Sequence, residues 1–170
     1  NFAVVGTGVA DVPTLFTSAF RPARPVAAAA TMASASPPAT SPGTAITVAS
    51  GAALAVNRSD TVTQGSNALK VAISGDGDFS QIGTGTTILT AANTYSGGTA
   101  VNGGVLAAAA DANLGAARGG LSFDGGTLQF LSGFATNRAV ALNAGAGTFD
   151  TNGNNATLAG VIGGIGGLTK

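Results

Sequence analysis

The chain has 170 residues, no net formal charge, and a charged fraction of 8%, about a third of the roughly 25% usual in globular proteins. Seven Asp occur without any Glu, His, Cys or Trp, which removes disulfides, thiolate nucleophiles, cysteine zinc sites and His-based triads from consideration. No basic patch is available to contact phosphates, so no nucleic-acid partner is expected. The 27 Gly, beside only two Lys, point to turns rather than helix surfaces.

All six Pro fall within residues 1–42, whereas 25 of the 27 Gly lie from Gly43 onward. This shift divides the chain into an irregular N-terminal segment and linker, 1–42, and a strand-rich region, 43–170. Phe2-Ala3-Val4-Val5 and Leu15-Phe16 are apolar runs with no neighbouring pattern to complete, either a strand of something upstream or an unpaired tail. Gly6-Thr7-Gly8 imitates the start of a dinucleotide fingerprint, but Asp11 stands where the third glycine belongs and Pro13 opposes a long helix. Arg21 and Arg24, the Ala-rich run to Met32 and Ala33-Ser34-Ala35 loosely mimic a leader peptide. The Ala, Ser, Thr and Pro content of 26–42 reads instead as an extended linker. No run reaches the about 20 apolar residues of a spanning helix.

From Gly43 the pattern is strand, glycine corner, strand. Predicted strands are Ile46–Val48, Ala53–Val56, Leu69–Ile73, Phe79–Ile82, Thr86–Leu89, Thr99–Val101 and Val105–Ala107. Leu121–Phe123, Thr127–Phe130, Ala139–Leu142, Thr148–Thr151, Thr157–Ala159 and Gly167–Lys170 continue the series. The Ala107–Ala110 run is helix-prone in isolation, but its flanks make it a lateral loop or a single helical turn. Strands this short bury too little to stand as hairpins, so stacked parallel coils are preferred to an antiparallel sandwich. Sliding residues 66–81 forward by 89 places Leu69 on Leu158, Ile73 on Ile162 and Phe79 on Leu168. That offset predicts about four coils of roughly 22 residues. It also makes the chain read as a piece of a longer array, whose C-terminal edge, Val161 to Thr169, is open to self-association.

The most specific string is Asn93-Thr94-Tyr95-Ser96-Gly97-Gly98-Thr99, which holds the only tyrosine. It follows Gly85-Thr86 and Ile88-Leu89, and precedes Gly103-Gly104-Val105-Leu106 and Gly125-Gly126-Thr127-Leu128. The segment from Gly83, chiefly to Phe130, resembles the autotransporter-associated β-strand (passenger-associated transport) repeat of bacterial passenger domains. The resemblance implies an all-β, right-handed parallel β-helix, preceded here by the Pro/Ala/Ser-rich segment. It implies secretion to the cell surface or extracellular space, through the outer membrane of a Gram-negative bacterium. The implied partner in secretion is a C-terminal outer-membrane β-barrel of the same full-length protein. Such repeats are linked to passenger secretion in adhesins and aggregation proteins, which implies a host-surface, matrix or self-association ligand. The absence of Cys is compatible with crossing an oxidising periplasm unfolded.

Asp76 and Asp78, in Gly75-Asp76-Gly77-Asp78-Phe79, begin like a calcium loop. Phe79 occupies the place of the nonapeptide Asp, while Gln81 and Thr87 stand where an EF-hand needs Gly and Glu. No metal and no cofactor are therefore expected. The alternative to a structural stalk is a carbohydrate-active β-helix enzyme, a lyase or hydrolase. It would use Asp76, Asp78, Asp124 and Asp150, with Arg58, Lys70 or Arg138 as substrate clamps. Nothing in the spacing pairs these acids, so no catalytic residue is assigned. Asn57-Arg58-Ser59 and Asn155-Ala156-Thr157 are formal glycosylation sequons. The expected site residues are thus structural: the corner Asn93, Thr94, Tyr95, Ser96, Gly97, Gly98 and Thr99, with secondary corners at Gly103, Gly104, Gly125 and Gly126.

Overall fold

The structure is a computed structural model that describes residues 2–3, 28–29, 46–66 and 69–170. The dinucleotide-like stretch and Leu15-Phe16 lie outside these residues, as does the leader-like stretch apart from Ala28–Ala29. Short strands alternate with glycine corners throughout. Three strands, β3 (Ile46–Val48), β4 (Ala52–Val56) and β5 (Thr61–Thr63), form the first coil. The second is β6 (Ile73–Gly75), β7 (Asp78–Gln81) and β8 (Thr86–Leu89). Next come β9 (Gly98–Val101), β10 (Val105–Ala108), β11 (Leu121–Phe123) and β12 (Thr127–Phe130). The chain closes with β13 (Ala135–Thr136), β14 (Val140–Leu142), β15 (Gly147–Asp150), β16 (Thr157–Leu158), β17 (Ile162–Gly164) and β18 (Leu168–Thr169). A single 3₁₀ turn, Asp111–Leu114, is the only helical element among the described residues.

The strands stack as a parallel β-helix. One wall runs β4-β7-β9-β11-β14-β17, and a second runs β5-β8-β10-β12-β15-β18. The third wall includes the parallel pairs β3–β6 and β13–β16. Two short N-terminal strands, β1 (Phe2–Ala3) and β2 (Ala28–Ala29), pair with β4, antiparallel and parallel respectively. The Phe2-Ala3 run thus completes the edge of the first wall.

Alternation along each strand sends one side chain inward and the next outward. In the first wall Leu54, Phe79, Thr99, Leu121, Val140 and Ile162 occupy one inward column. In the second, Val62, Thr87, Leu106, Leu128 and Phe149 form another. Phe123 and Phe149 meet across the interior with ring centroids 5.0 Å apart, and Phe130 lies 4.7 Å from Phe134. The interior is not wholly apolar. Gln81 and Thr87 are buried and bonded to each other, Thr87 Oγ1 donating to Gln81 Oε1 at 2.6 Å, and Gln81 Nε2 donates to Gly83 O at 3.0 Å. Among the described residues every buried side-chain nitrogen and oxygen has a partner, as the cost of about 1–3 kcal/mol for an unsatisfied group requires.

The register corrects the 89-residue offset. Phe79 stacks through Thr99, Leu121 and Val140 onto Ile162, a span of 83 residues over four coils. An offset of 89 would place β7 of the first wall on β18 of the second. Leu69 also differs from expectation: it makes an isolated bridge to Gln64, and the strand after it is β6. Of the alanine run, Ala107 and Ala108 end β10, and the helical turn falls at Asp111–Leu114.

Candidate functional site

The Asn93–Thr99 segment turns the chain from the second wall into the third and then into β9. Residues Asn93 to Ser96 carry no strand assignment, yet their backbone is bonded to the coils on both sides. Thr94 N donates to Ile73 O at 2.8 Å and Ser96 N to Gly75 O at 3.0 Å. On the opposite edge Asn93 N donates to Ala112 O at 2.9 Å, and Tyr95 O accepts from Ala116 N at 2.8 Å. The segment is therefore wall as well as corner.

Asn93, Tyr95 and Thr99 point into the core and supply polar contacts there, whereas Thr94 is exposed. Asn93 is buried; its Oδ1 accepts from Ile73 N and from Gln64 Nε2, each at 2.8 Å, and its Nδ2 donates to Asn113 O at 2.7 Å. Gln64 Oε1 accepts from Thr90 N and Ala91 N. Asn113 donates to Ala91 O and accepts from Ala109 N and Ala110 N. Gln64, Asn93 and Asn113 thus form a ladder of buried amides that satisfies backbone groups of three successive coils. The sequence reading named Asn93 but not its two partners.

Tyr95 is fully buried, stacks on Phe79 with centroids 6.0 Å apart, and its hydroxyl lies 2.7 Å from Thr99 Oγ1. Thr99 Oγ1 in turn donates to Leu114 O at 3.1 Å, so Tyr95 is the donor to Thr99. Burial drives the Tyr95 pKa well above its ordinary value. Gly98 sits at φ +136°, in the region that disfavours side chains, and a Cβ on Gly97 would strike Asp78 Oδ1 and the Gly77 backbone. Gly103 and Gly104 form the corner between β9 and β10, and Gly125 and Gly126 that between β11 and β12.

Arg138 is the second buried polar centre. Its side chain is 1% exposed, and all of its donors are used. Nε donates to Asp111 Oδ1 at 2.8 Å, and Nη1 to Ala116 O and Gly119 O at 2.7 and 2.8 Å. Nη2 reaches Gly115 O at 2.7 Å, Asp111 O at 3.0 Å and Asp111 Oδ2 at 3.2 Å. The guanidinium gathers the carbonyls of the 111–119 loop rather than lying open to a substrate.

The remaining acids lie in several settings. Asp76 accepts from Ser96 Oγ at 2.9 Å and lies 3.6 Å from Arg118 at the surface. Asp78 begins β7 on the outer face of the first wall, where partial burial raises its pKa. Asp124 accepts from Gly145 N at 2.7 Å, and Asp150 from Gln129 Nε2 at 2.8 Å and Asn152 N at 2.8 Å. The Gln129 bond, then the Asn152 bond, lowers the Asp150 pKa. Arg58 holds Asp60, lowering that carboxyl's pKa. Among the described residues no three Asp, Glu, His or Cys side chains gather as a metal-binding group.

Comparison with known proteins accords with this geometry. The family profile for the passenger-associated-transport-repeat matches residues 79–108, which run from β7 through β8 and the Asn93–Thr99 segment to the end of β10. The adhesin BmaC autotransporter of Brucella suis biovar 1 (strain 1330) is 43% identical over 93 residues, covering 54% of this chain. The match spans only 3% of that relative's length. No solved structure matches the chain. Residues 79–108 thus match a passenger-associated-transport repeat and form one stacking step of the parallel β-helix.

Proposed function

We propose that the chain is a segment of a secreted autotransporter passenger, a β-helical stalk that supports secretion and surface display in an adhesin or aggregation protein. The observation that carries this reading is the coincidence of the matched unit, residues 79–108, with one complete stacking step of the helix, Phe79 onto Thr99 and Thr86 onto Val105. Each coil contacts only its neighbours, so coils can fold one after another as they emerge from a pore. The corner residues Asn93 to Thr99, with Gly103, Gly104, Gly125 and Gly126, serve this role structurally, by closing coils and satisfying their backbone. Its partner in secretion is a C-terminal outer-membrane β-barrel, and its destination is the bacterial surface. The role is non-enzymatic; the engagement of Asp76, Asp124 and Asp150 by hydrogen bonds of the fold supports this, as does the adhesin relative.

The test is display. The chain is placed upstream of a translocating barrel in a Gram-negative host, and its exposure is scored by surface protease and antibody labelling. Surface-exposed, folded chain is expected, with cells gaining adhesion or aggregation only when the full passenger is present. Retention of the chain in the periplasm, with the barrel inserted normally, would overturn the proposal. Pectin or glycan cleavage by the chain, lost on replacing Asp78 or Asp124, would favour the enzyme instead.

A further inference from the structure

We propose that Asn152 is a site of spontaneous deamidation, a modification that the fold directs to this Asn-Gly pair and withholds from the other, Asn102-Gly103. The inference does not depend on the secretion reading. In the reaction the backbone nitrogen of Gly153 attacks Cγ of Asn152. A new N–Cγ bond forms, the Cγ–Nδ2 bond breaks, and Nδ2 leaves as ammonia with the proton from the Gly153 amide. Water then opens the resulting succinimide at either carbonyl, giving aspartate or isoaspartate. No oxidant or reductant is involved.

Asn152 and Gly153 are the central residues of the turn after β15. Both lie in the left-handed region, at φ 48° and 77°, and Asn154 N donates to Thr151 O at 2.7 Å across them. This is the geometry that Asn-Gly favours in a two-residue turn. Both residues are exposed. Among the described residues the Gly153 amide has no acceptor, and beyond its chain neighbours no heavy atom lies within 4 Å of where its Cβ would stand. The attacking nitrogen is therefore unbonded, and the peptide plane that must swing toward Cγ is held only by the 3.3 Å bond from Asn154 Nδ2 to Asn152 O.

At Asn102-Gly103 the chemistry is identical but the setting is not. Asn102 N donates to Gln81 O at 2.8 Å, and a Cβ on Gly103 would stand 2.9 Å from Ile82 O. The corner lies between coils, with Asn102 O 3.8 Å from the Cβ position of Gly125. Swinging this peptide plane means opening the stack of the β9–β10 corner, whereas at Asn152 only the surface turn must open. Local opening is far cheaper at exposed turns than within stacked strands.

Conversion at Asn152 places a second carboxylate two residues from Asp150, whose Oδ1 accepts the Asn152 amide. The isoaspartyl product also adds a methylene to the chain leading into β16, which is held to β13 by only a two-residue pairing.

The test uses the unmodified protein. Native and denatured samples are incubated side by side in mildly alkaline buffer. Peptide mapping then scores the mass gain of NH₂ replaced by OH, and an isoaspartate methyltransferase labels the rearranged product. In the native protein the peptide containing Asn152 is expected to react about tenfold faster than that containing Asn102, a ratio set by the difference in opening cost. In the denatured chain the two should react at similar rates. Equal native rates, a faster reaction at Asn102, or a native Asn152 that stays intact while the denatured chain reacts would each overturn the proposal.

Discussion

Replacing Arg138 tests how the buried polar groups hold this fold together. Its guanidinium is paired with Asp111 and donates to the carbonyls of Asp111, Gly115, Ala116 and Gly119. Arg138→Met retains an apolar stem only to about the Nε position, removes the guanidinium and strands those acceptors. Removing one partner of a buried ion pair costs about 3–5 kcal/mol. Asp111 is 27% exposed, so its carboxylate recovers some hydration, which places the expected loss near the lower value, about 3 kcal/mol. Arg138→Ala should cost less, because the vacated space admits water and is lined by several acceptors that can hold it. The order Met worse than Ala is the reverse of what lost packing alone would give. Arg138→Lys should fall between Ala and the parent, since one ammonium offers three donors where the guanidinium offers five in a fixed fork.

The assay is equilibrium denaturation in urea, with Asp111→Asn included to close a double-mutant cycle. A coupling energy of about 1–3 kcal/mol is expected for residues in one network. For a chain of this size the Met variant should melt about 6–12 °C lower. The reasoning is refuted if Arg138→Met lies within about 1 kcal/mol of the parent, or if Ala proves worse than Met, because buried acceptors left unpaired should dominate.

Three further outcomes are expected. Gly98 is at φ +136°, so Val at both Gly97 and Gly98 should destabilise the chain by about 1 kcal/mol or more; unchanged melting and unchanged surface display would contradict the corner geometry. Burial raises the Asp78 pKa, so its contribution to stability is full below the unfolded value and lost as pH rises through the folded one, whereas the lowered Asp60 and Asp150 contribute above their unfolded values and lose this as pH falls through their folded ones. Asp78→Asn should thus be more stable than the parent at neutral pH and lose more on acidification, and a profile parallel to the parent's would count against burial as the cause. Tyr95, the only tyrosine, is held neutral by burial above the ordinary value of about 10, so alkaline titration should show tyrosinate absorbance rising together with loss of the β signal; absorbance that rises first, with the β signal intact, would place Tyr95 in solvent.

Much of the strand pattern is legible in the sequence. Thr86–Leu89, Leu121–Phe123 and Thr127–Phe130 match at both ends, because a glycine directly before each, Gly85, Gly120 and Gly126, marks where the strand starts. Thr61–Thr63 and Ala135–Thr136 escaped because no glycine directly precedes them and each holds a single apolar residue, Val62 or Ala135, which sets no alternation. The 89-residue offset failed for a related reason. A coil with three walls presents strand, small-residue corner, strand at each wall, so sliding by one wall preserves the composition while moving Phe79 from the first wall to the second. Only pairing distinguishes the two registers. The role of Arg138 escaped differently: apart from the Asp111 carboxylate its acceptors are carbonyls 19–27 residues earlier, and backbone carbonyls leave no mark in a sequence.

The coils differ in length, and the distribution of the difference explains why the polar network sits where it does. From the first wall to the second the chain takes 6 to 8 residues, measured from Leu54 to Thr61 and at each equivalent step to Ile162 and Thr169. From the second wall through the third to the next coil it takes 13 to 18, as from Thr61 to Phe79 and from Thr86 to Thr99. Slack is absorbed on the third wall, where regular pairing is interrupted and backbone groups lose their ladder partners. Gln64, Asn93, Asn113 and Arg138 all act there, and their bonds run largely to adjoining coils. A coil in isolation would leave these groups unpaired, so the satisfaction of each coil depends on its neighbour. This dependence couples adjacent coils without linking distant ones, and lets coils of unequal length join one continuous stack.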